Sequence, residues 1–260
     1  MVKEPRLIGS LQRAFDILNL FNHRTIELGI TEIANALELH KSTASGLVYT
    51  LEANNYLEQN PDNRKYRLGL KFVERSSIVL AQLDIRQIAN PYLNALRDWS
   101  QESVNLAIRD GNEVIYIERI LSNQNLAFRN EIGKRAYVHT SALGKALISQ
   151  LSISESRELL ESYELRAMTK HSLTTIDSIM QDLEHTRKRG FALDDQENEL
   201  GGRCVSAPIF NHLGTAVAAV SISIPVPRIP SERIEYFGNK VKDIAAEISE
   251  RLGYRTMVLS

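Results

Sequence analysis

The hydrophobic positions of residues 30–51 form two short runs with a helical period. Apolar residues recur every three or four positions, as on one face of a helix, at Ile30, Ile33, Ala34 and Leu37 and again at Ala44, Leu47, Val48 and Leu51. The break between the runs, at residues 38–41, is so short that the two helices must cross steeply, which predicts a helix-turn-helix. Ser42 is predicted to cap the second helix, since its hydroxyl can accept a backbone N–H of the first turn.

The polar face of the second helix predicts contact with DNA. This face carries the small hydroxyl side chains of Thr43, Ser45 and Thr50, the ring of Tyr49, and Gly46. Such side chains can enter a major groove without steric conflict and can bond to phosphates or base edges. The predicted DNA-binding residues of this helix are Lys41, Ser42, Thr43, Ser45 and Tyr49.

A hairpin is predicted after this helix. Residues 56–59 and 64–68 alternate across the turn at 60–63, whose sequence Asn-Pro-Asp-Asn suits type I geometry. Its tip presents Arg64 and Lys65, with Arg67 one step further along. The pattern therefore indicates a winged helix-turn-helix that binds DNA also through Arg64 and Lys65. The alternative is a generic helical subdomain with an ordinary charged hairpin, because short helix pairs are common.

The remaining pattern predicts an α+β protein with a second, mixed domain. Residues 11–21 read as a first amphipathic helix that Ser10 can cap, and the apolar helix at 71–83 either packs within its own chain or pairs with a second subunit. Further helices are predicted at residues 85–99, 141–148, 154–163, 175–189 and 231–252, and strands at 103–109, 113–120, 126–129, 136–139, 191–194, 204–210 and 215–224. The predicted organisation is a winged helix-turn-helix at 1–70, a linker helix at 71–84, and an antiparallel sheet flanked by helices at 85–260.

Composition narrows the class of protein. The net charge of -1 over 260 residues argues against a protein that coats nucleic acid non-specifically, so DNA affinity has to come from the placement of individual charges. A single cysteine, Cys204, excludes an internal disulfide and a cysteine-rich metal site, and the scattered histidines suggest no zinc site. We predict no metal and no cofactor. Because no signal peptide or long apolar run is visible, we expect a cytoplasmic protein without a membrane partner.

Three segments of the second domain carry chemistry suited to a ligand. A helix that starts at residues 141–145, after a strand, offers free N–H groups to an anion, although it could be a simple capped helix. The acidic stretch at 194–204 leads through two glycines into a strand, although such loops are usually solvated turns. Ser221 and Ser223 lie two apart on a strand and share one face, where they bond either to a small polar ligand or to neighbouring backbone.

An enzyme is the weaker interpretation. Cys204 with His139 can in principle form a nucleophile and base, but nothing nearby suggests an oxyanion hole or an orienting third group. Asp194 and Glu199 can do acid–base work, yet no substrate-holding motif accompanies them. We therefore predict that the chain is not an enzyme.

Motifs along nearly the whole chain resemble the isocitrate lyase regulator (IclR) family. ITEIANALELHKST, LEANNYLEQ and KYRLGLKF resemble its winged helix, and HTSALGKALIS, RGFALDDQENELGGRCVSAPIF and AVSISIP resemble its effector domain, which has a GAF-like fold. The resemblance implies a bacterial transcription factor, a repressor of a catabolic operon, that forms a dimer or a dimer of dimers. It also implies a palindromic double-stranded DNA operator and a small carboxylic acid or sugar acid as effector.

Position by position, the resemblance implies an effector pocket in the second domain. Its residues would be Ala142, Leu143, Asp194, Cys204, Ser221 and Ser223. Backbone N–H groups and serine hydroxyls would hold a carboxylate, Asp194 would accept from a ligand hydroxyl, and Cys204 would line the wall. The chain departs from the family at Gly46, where an arginine is frequent, and at Ala142, where some members have glycine.

The sequence thus predicts a ligand-responsive DNA-binding regulator. In this hypothesis effector binding biases the relative placement of two winged domains, and the linker helix carries the change. Two alternatives belong to other classes. One is an enzyme that uses Cys204 or the Asp194 and Glu199 acids, and the other is an interaction protein whose winged helix binds protein.

Overall fold

The computed structural model describes residues 8–22, 24–81, 84–124 and 131–255. The chain divides into two compact units, Met1–Gln82 and Leu83–Ser260. No helix in these ranges is both long enough and apolar enough to cross a membrane. The predicted strand at 126–129 lies outside the described residues.

The first unit is a winged helix-turn-helix, as predicted. Its elements are α1 Gly9–Asn19, α2 Ile30–Ala36, α3 Lys41–Ala53, β1 Leu57–Gln59, β2 Tyr66–Leu68 and α4 Lys71–Ala81. The apolar stripes of α1, α2 and α3 meet the wing in one core, which is built from Ile17, Phe21, Ile33, Ala34, Ala44, Val48, Leu57 and Tyr66. The wing is antiparallel, with Leu57 opposite Leu68 and Gln59 opposite Tyr66.

Two predicted helix caps are wrong. Helix α3 begins at Lys41 after His40, which has the extended backbone of a cap position, so Ser42 already lies inside the first turn. Ser10 likewise lies inside α1, which begins at Gly9 after Ile8. Neither helix has a side-chain cap.

The turn of the wing is also one residue longer than predicted. The Asn60 carbonyl accepts from the Arg64 N–H at 2.9 Å, so the turn closes from residue 60 to residue 64. Arg64 itself has φ 56°, a left-handed backbone that few residues other than glycine adopt. This conformation sits at the tip of the wing, where Arg64 faces solvent.

The second unit is built on a six-stranded antiparallel sheet with strand order β5-β4-β3-β8-β7-β6. The strands are β3 Ser103–Asp110, β4 Glu113–Ile120, β5 Arg135–Tyr137, β6 Ala192–Asp195, β7 Gly202–Phe210 and β8 Ala216–Pro225. The helices are α5 Asp84–Ser100, α6 Ala142–Ile148, α7 Ile153–Glu161, α8 Ile176–Arg189 and α9 Ile234–Arg251. The predicted α+β class and the flanked antiparallel sheet are confirmed.

Helices cover both faces of this sheet, and the strand sequences alternate accordingly. Val205, Val220 and Ile222 belong to the core under α5 and α9. The opposite face packs beneath α6, α7 and α8, with Ala192 and Ala219 in its core. Polar residues of β3, β6, β7 and β8 interrupt this second face near the start of α6, and they define the site described below.

Candidate functional site

A row of polar side chains crosses the α6 face of the sheet. Backbone register places Asp194 of β6 opposite Cys204 of β7, Cys204 opposite Ser223 of β8, and Ser223 opposite Ser103 of β3. Residues directly opposite each other on adjacent strands project to the same face. A second row, two residues along, contains Ser206, Ser221 and Asn105.

A cavity lies above these rows. All six predicted effector residues line it, and so do Tyr116, Ser141, Asn198, Glu199 and Gly202. The space open to the centre of a water-sized sphere totals about 20 Å³, which accommodates one or two waters. Asn198 and Glu199 also line a neighbouring recess of about 220 Å³.

The start of α6 forms the wall opposite the sheet. The Ser141 Oγ accepts from the Gly144 N–H at 3.1 Å and donates to the Tyr137 carbonyl at 2.9 Å, so the helix has a fully engaged cap. The backbone N–H groups of Ala142 and Leu143 have no hydrogen-bond partner among the described residues. They are therefore available as donors, as the prediction for this segment requires.

Asp194 is the acceptor of the cavity. Its Oδ1 accepts from the backbone N–H groups of Glu197 at 2.7 Å and of Asn198 at 3.2 Å. Burial raises the pKa of Asp194 to about 7, although Lys145 acts to lower it. The carboxyl group thus titrates near neutral pH, whereas an exposed aspartate would be fully ionised.

We expect the stability of the protein to depend on the ionisation of Asp194. Its folded-state pKa of about 7 lies above the ordinary value of 3.8, so the native state binds this proton more tightly than the unfolded state does. The contribution of Asp194 to stability therefore falls as the pH rises from about 4 to about 7. Asp194→Asn, a neutral isostere, should gain stability relative to the wild type as the pH rises through this window. Urea unfolding of both proteins at several pH values measures the difference. A difference that stays flat with pH would contradict the assignment.

A buried lysine on α6 forms ion pairs that link this helix to the loop carrying Asn198 and Glu199. Lys145 Nζ lies 2.6 Å from Glu197 Oε1 and 2.8 Å from Asp182 Oδ2, and the lysine side chain is fully buried. Burial alone would lower the pKa of Lys145, but the two carboxylates outweigh it and raise that pKa. Lys145 is a functional-site residue that was not predicted from the sequence. The available signal was a lysine in the otherwise apolar helix sequence ALGKALI.

The geometry argues against a Cys204–His139 pair. His139 Nε2 lies 3.1 Å from the Arg166 carbonyl, which can only accept, so Nε2 carries the proton. Nδ1 then accepts from the Tyr163 hydroxyl, also at 3.1 Å. Both ring nitrogens are engaged away from Cys204, and burial raises the pKa of the Cys204 thiol. Within the described ranges, no group of three histidine, cysteine, aspartate or glutamate residues could hold a metal ion.

The predicted DNA-binding residues lie on the surface of the first unit. Lys41, Ser42, Thr43 and Tyr49 are exposed on α3, Ser45 is half-buried there, and Arg64 and Lys65 lie at the wing tip. Tyr49 is 70% exposed, which is high for a large aromatic ring in a folded helix.

The basic residues of this face differ in their partners. Lys65 Nζ lies 3.0 Å from Glu32 Oε1, and Arg67 lies 2.9 Å from Glu58. Lys41 and Arg64 have no acidic partner in the part of the chain that the structure describes. The positive charges of Lys41 and Arg64 are therefore available to a polyanion such as DNA.

Comparison with known proteins identifies the family. Residues 10–61 match the IclR helix-turn-helix domain, and residues 77–250 match the C-terminal domain of the bacterial transcriptional regulator IclR. The HTH-type transcriptional regulator XynR of Escherichia coli is 40% identical over 95% of this chain and 98% of its own. The E. coli HTH-type transcriptional repressor AllR is 29% identical over 95% and 91%.

A solved structure agrees with these matches. The IclR of Thermotoga maritima superposes with a TM-score of 0.79 at 33% identity, covering 95% of this chain and 99% of that one. The relatives are transcriptional regulators and not enzymes, which removes the catalytic alternative for Cys204 and the acidic loop. The chain belongs to the IclR family of bacterial transcriptional regulators, with a helix-turn-helix DNA-binding unit at its N-terminus.

Proposed function

We propose that this protein is a repressor of a catabolic operon whose affinity for a palindromic operator is controlled by a small carboxylic acid or sugar acid. The observation that carries the proposal is the convergence of Ala142, Leu143, Asp194, Cys204, Ser221 and Ser223 on one buried cavity. The repressor name of the relative AllR supports the sign of the regulation.

The chemistry of the cavity suits a hydroxylated acid. The N–H groups of Ala142 and Leu143 and the hydroxyls of Ser221 and Ser223 supply donors for a carboxylate. Asp194 supplies an acceptor for a ligand hydroxyl. Because its pKa is about 7, both its protonated and its ionised form are present at neutral pH. The cavity of about 20 Å³ holds only one or two waters, so we propose that an acid binds when Asn198 and Glu199, which also line the neighbouring recess of about 220 Å³, are displaced.

A palindromic operator requires two copies of the winged unit. Leu11 and Phe15 on α1, and Val73 and Ile78 on α4, are large apolar side chains that are exposed in the single chain. Two-fold dimers bury the same patch of each copy, and the spacing of half-sites then mirrors the symmetry of the protein. We propose that a second copy of this chain covers these residues. Sedimentation of Phe15→Ser should show a loss of dimer relative to the wild type.

We expect Arg64 at the tip of the wing to contribute more to DNA affinity than the neighbouring Lys65. Arg64→Ala should weaken binding about equally for all sequences and reduce the slope of log K against log salt by about 1, as the loss of one phosphate contact does. Lys65→Ala should have a smaller effect, because the Glu32 carboxylate at 3.0 Å already compensates part of its charge. Fluorescence anisotropy with a labelled duplex across a salt series measures both slopes.

The control for this series is Arg157→Ala in the second unit. Arg157 is an exposed arginine paired with Asp177 at 3.1 Å, and it lies far along the chain from the wing. The salt slope should not change in this variant. Equal slopes for wild type and Arg64→Ala would remove the wing from the DNA interface and favour the protein-binding alternative.

The proposal is tested with DNA from upstream of the gene that encodes the protein. The full-length protein is titrated with this DNA and with a scrambled duplex at several salt concentrations, and a panel of small carboxylic and sugar acids is then added. We expect salt-resistant preference for the upstream DNA and a change in affinity with at least one acid. The result that would contradict the proposal is no preference over scrambled DNA, either for the upstream DNA or for duplexes recovered by random selection. In that case the proposal that the winged unit binds an operator fails.

A further inference from the structure

Hydrogen-bond partners of the two cavity serines restrict what they can offer a ligand. A serine hydroxyl has one O–H donor and two acceptor lone pairs. Ser223 Oγ accepts from Asn105 Nδ2 at 3.1 Å and from the Cys204 thiol at 3.3 Å, so both of its lone pairs are occupied. Its O–H is the only capacity left, and it donates to no described residue.

The Asn105 amide also donates a hydrogen bond to the second serine, Ser221. Its Nδ2 also lies 3.4 Å from Ser221 Oγ, so the two N–H groups of one amide serve two neighbouring hydroxyls. Ser221 likewise donates to no described residue. Both serines line the cavity. Asn105 lies next to them on the neighbouring strand β3, is only 1% exposed and does not line the cavity.

The orientation of the Asn105 amide decides the direction of these bonds. In the observed orientation, Asn105 Oδ1 is buried and has no hydrogen-bond partner among the described residues. The flipped amide would turn Oδ1 toward the serines and leave two N–H donors without those partners. It would also draw both serine O–H groups away from the cavity. The observed orientation gives both amide N–H groups a partner, and a buried N–H group without a partner is costly.

We propose that Asn105 is a positioning residue that turns the Ser221 and Ser223 hydroxyls into donors, so that this wall of the cavity selects the carboxylate end of the effector. The inference rests on the proposed function and deepens it, because it states which wall binds which end of the ligand. A carboxylate accepts both O–H groups as charge-assisted bonds. An alcohol in the same place accepts with one oxygen only, and for its hydrogen this wall offers only the second lone pair of Ser221, since both lone pairs of Ser223 are occupied.

The test compares acids with alcohols that differ only at the carboxyl carbon. Glycolate, glycerate and D-gluconate are paired with ethylene glycol, glycerol and D-glucitol, and binding to the full-length protein is measured by calorimetry. The wild type should prefer at least one acid to its alcohol. Asn105→Leu removes the amide and should lower this preference by about tenfold, the size expected for the loss of one ordered charge-assisted hydrogen bond. Asn105→Asp presents acceptors to the serines, and its preference should fall at least as far.

Ser206→Ala is the matched control. Ser206 is a fully buried serine of the same sheet face, but its hydroxyl donates to the Val220 carbonyl at 2.9 Å and does not line the cavity. Its acid-to-alcohol preference should equal that of the wild type. If Asn105→Leu and Asn105→Asp weaken the binding of acid and alcohol by the same factor, Asn105 has a structural role only. The inference about Asn105 then fails, and the proposed function is unaffected. If the wild type binds none of the acids, the proposed effector class fails and the inference fails with it.

Discussion

Lys145→Met is expected to lower the free energy of unfolding by about 3–5 kcal/mol, the range measured when one partner of a buried ion pair is removed. Lys145 is fully buried and sits between Glu197 Oε1 at 2.6 Å and Asp182 Oδ2 at 2.8 Å. Methionine fills similar space but carries no charge, so Glu197 would lose its lysine partner and Asp182 would keep only the more distant Arg189, whose Nη2 lies 3.9 Å from Oδ1. Urea unfolding of the variant at neutral pH measures the loss.

Lys188→Met provides the control for this experiment. Lys188 forms an ion pair of the same 2.6 Å length with Glu184, one helical turn earlier, but both side chains are mostly exposed. Exposed pairs contribute about 0–1 kcal/mol, so this variant should unfold almost as the wild type does. The double variant Lys145→Met with Glu197→Gln should recover part of the loss, because the Glu197 charge that has lost its lysine partner is removed as well. Equal effects at Lys145 and Lys188 would show that the buried cluster does not stabilise the fold.

Gly144→Ala is expected to destabilise the protein by about 3 kcal/mol, at the upper end of the usual range for overpacked sites. A Cβ at this position would lie 2.3 Å from Val138 Cα and 2.6 Å from the Val138 carbonyl oxygen. Both are backbone atoms, so no side chain can move aside, and α6 itself would have to shift. Since α6 forms a wall of the cavity, the same variant should also weaken effector binding.

The same substitution at Gly46 should have the opposite sign. Gly46 lies on the exposed face of α3, and a Cβ there meets no atom within 4 Å. Gly46→Ala should therefore stabilise the protein by up to about 1 kcal/mol through helix propensity alone. Thermal unfolding of the two variants side by side gives the comparison. A stabilising Gly144→Ala would contradict the close packing of α6 on residue 138.

The fold of the first unit followed from local patterns. Helix period, a short break and a turn with proline and asparagine are properties of neighbouring residues, and they predicted the helix-turn-helix and the wing. The misplaced caps have a local cause too. Ser10 and Ser42 are good cap residues, but each cap position lies two residues earlier, at Ile8 and His40, and sequence preference cannot locate a boundary that closely.

The interior of the site could not be predicted in the same way. Lys145 meets a carboxylate 52 residues away, and Asn105 meets serines 116 and 118 residues away. The Asn105 contacts depend on β3 pairing with β8 as well as with its neighbour in sequence, and the Lys145 contact depends on the packing of α6 against the loop after β6. The residues of the cavity wall were proposed from family resemblance. The residues that orient that wall, Asn105 and Lys145, required the register of the sheet and the packing of α6.

We propose that a small acid in the cavity changes the affinity of the winged unit for operator DNA. The most direct measurement is the operator affinity of the full-length protein with and without an acid that binds it, in the wild type and in Ser221→Ala with Ser223→Ala. A ligand can alter DNA affinity only through its different affinities for the DNA-bound and free states. We predict that the acid alters operator affinity in the wild type and that the double variant keeps its operator affinity but loses the response. An acid that binds the wild type yet leaves operator affinity unchanged would contradict the account.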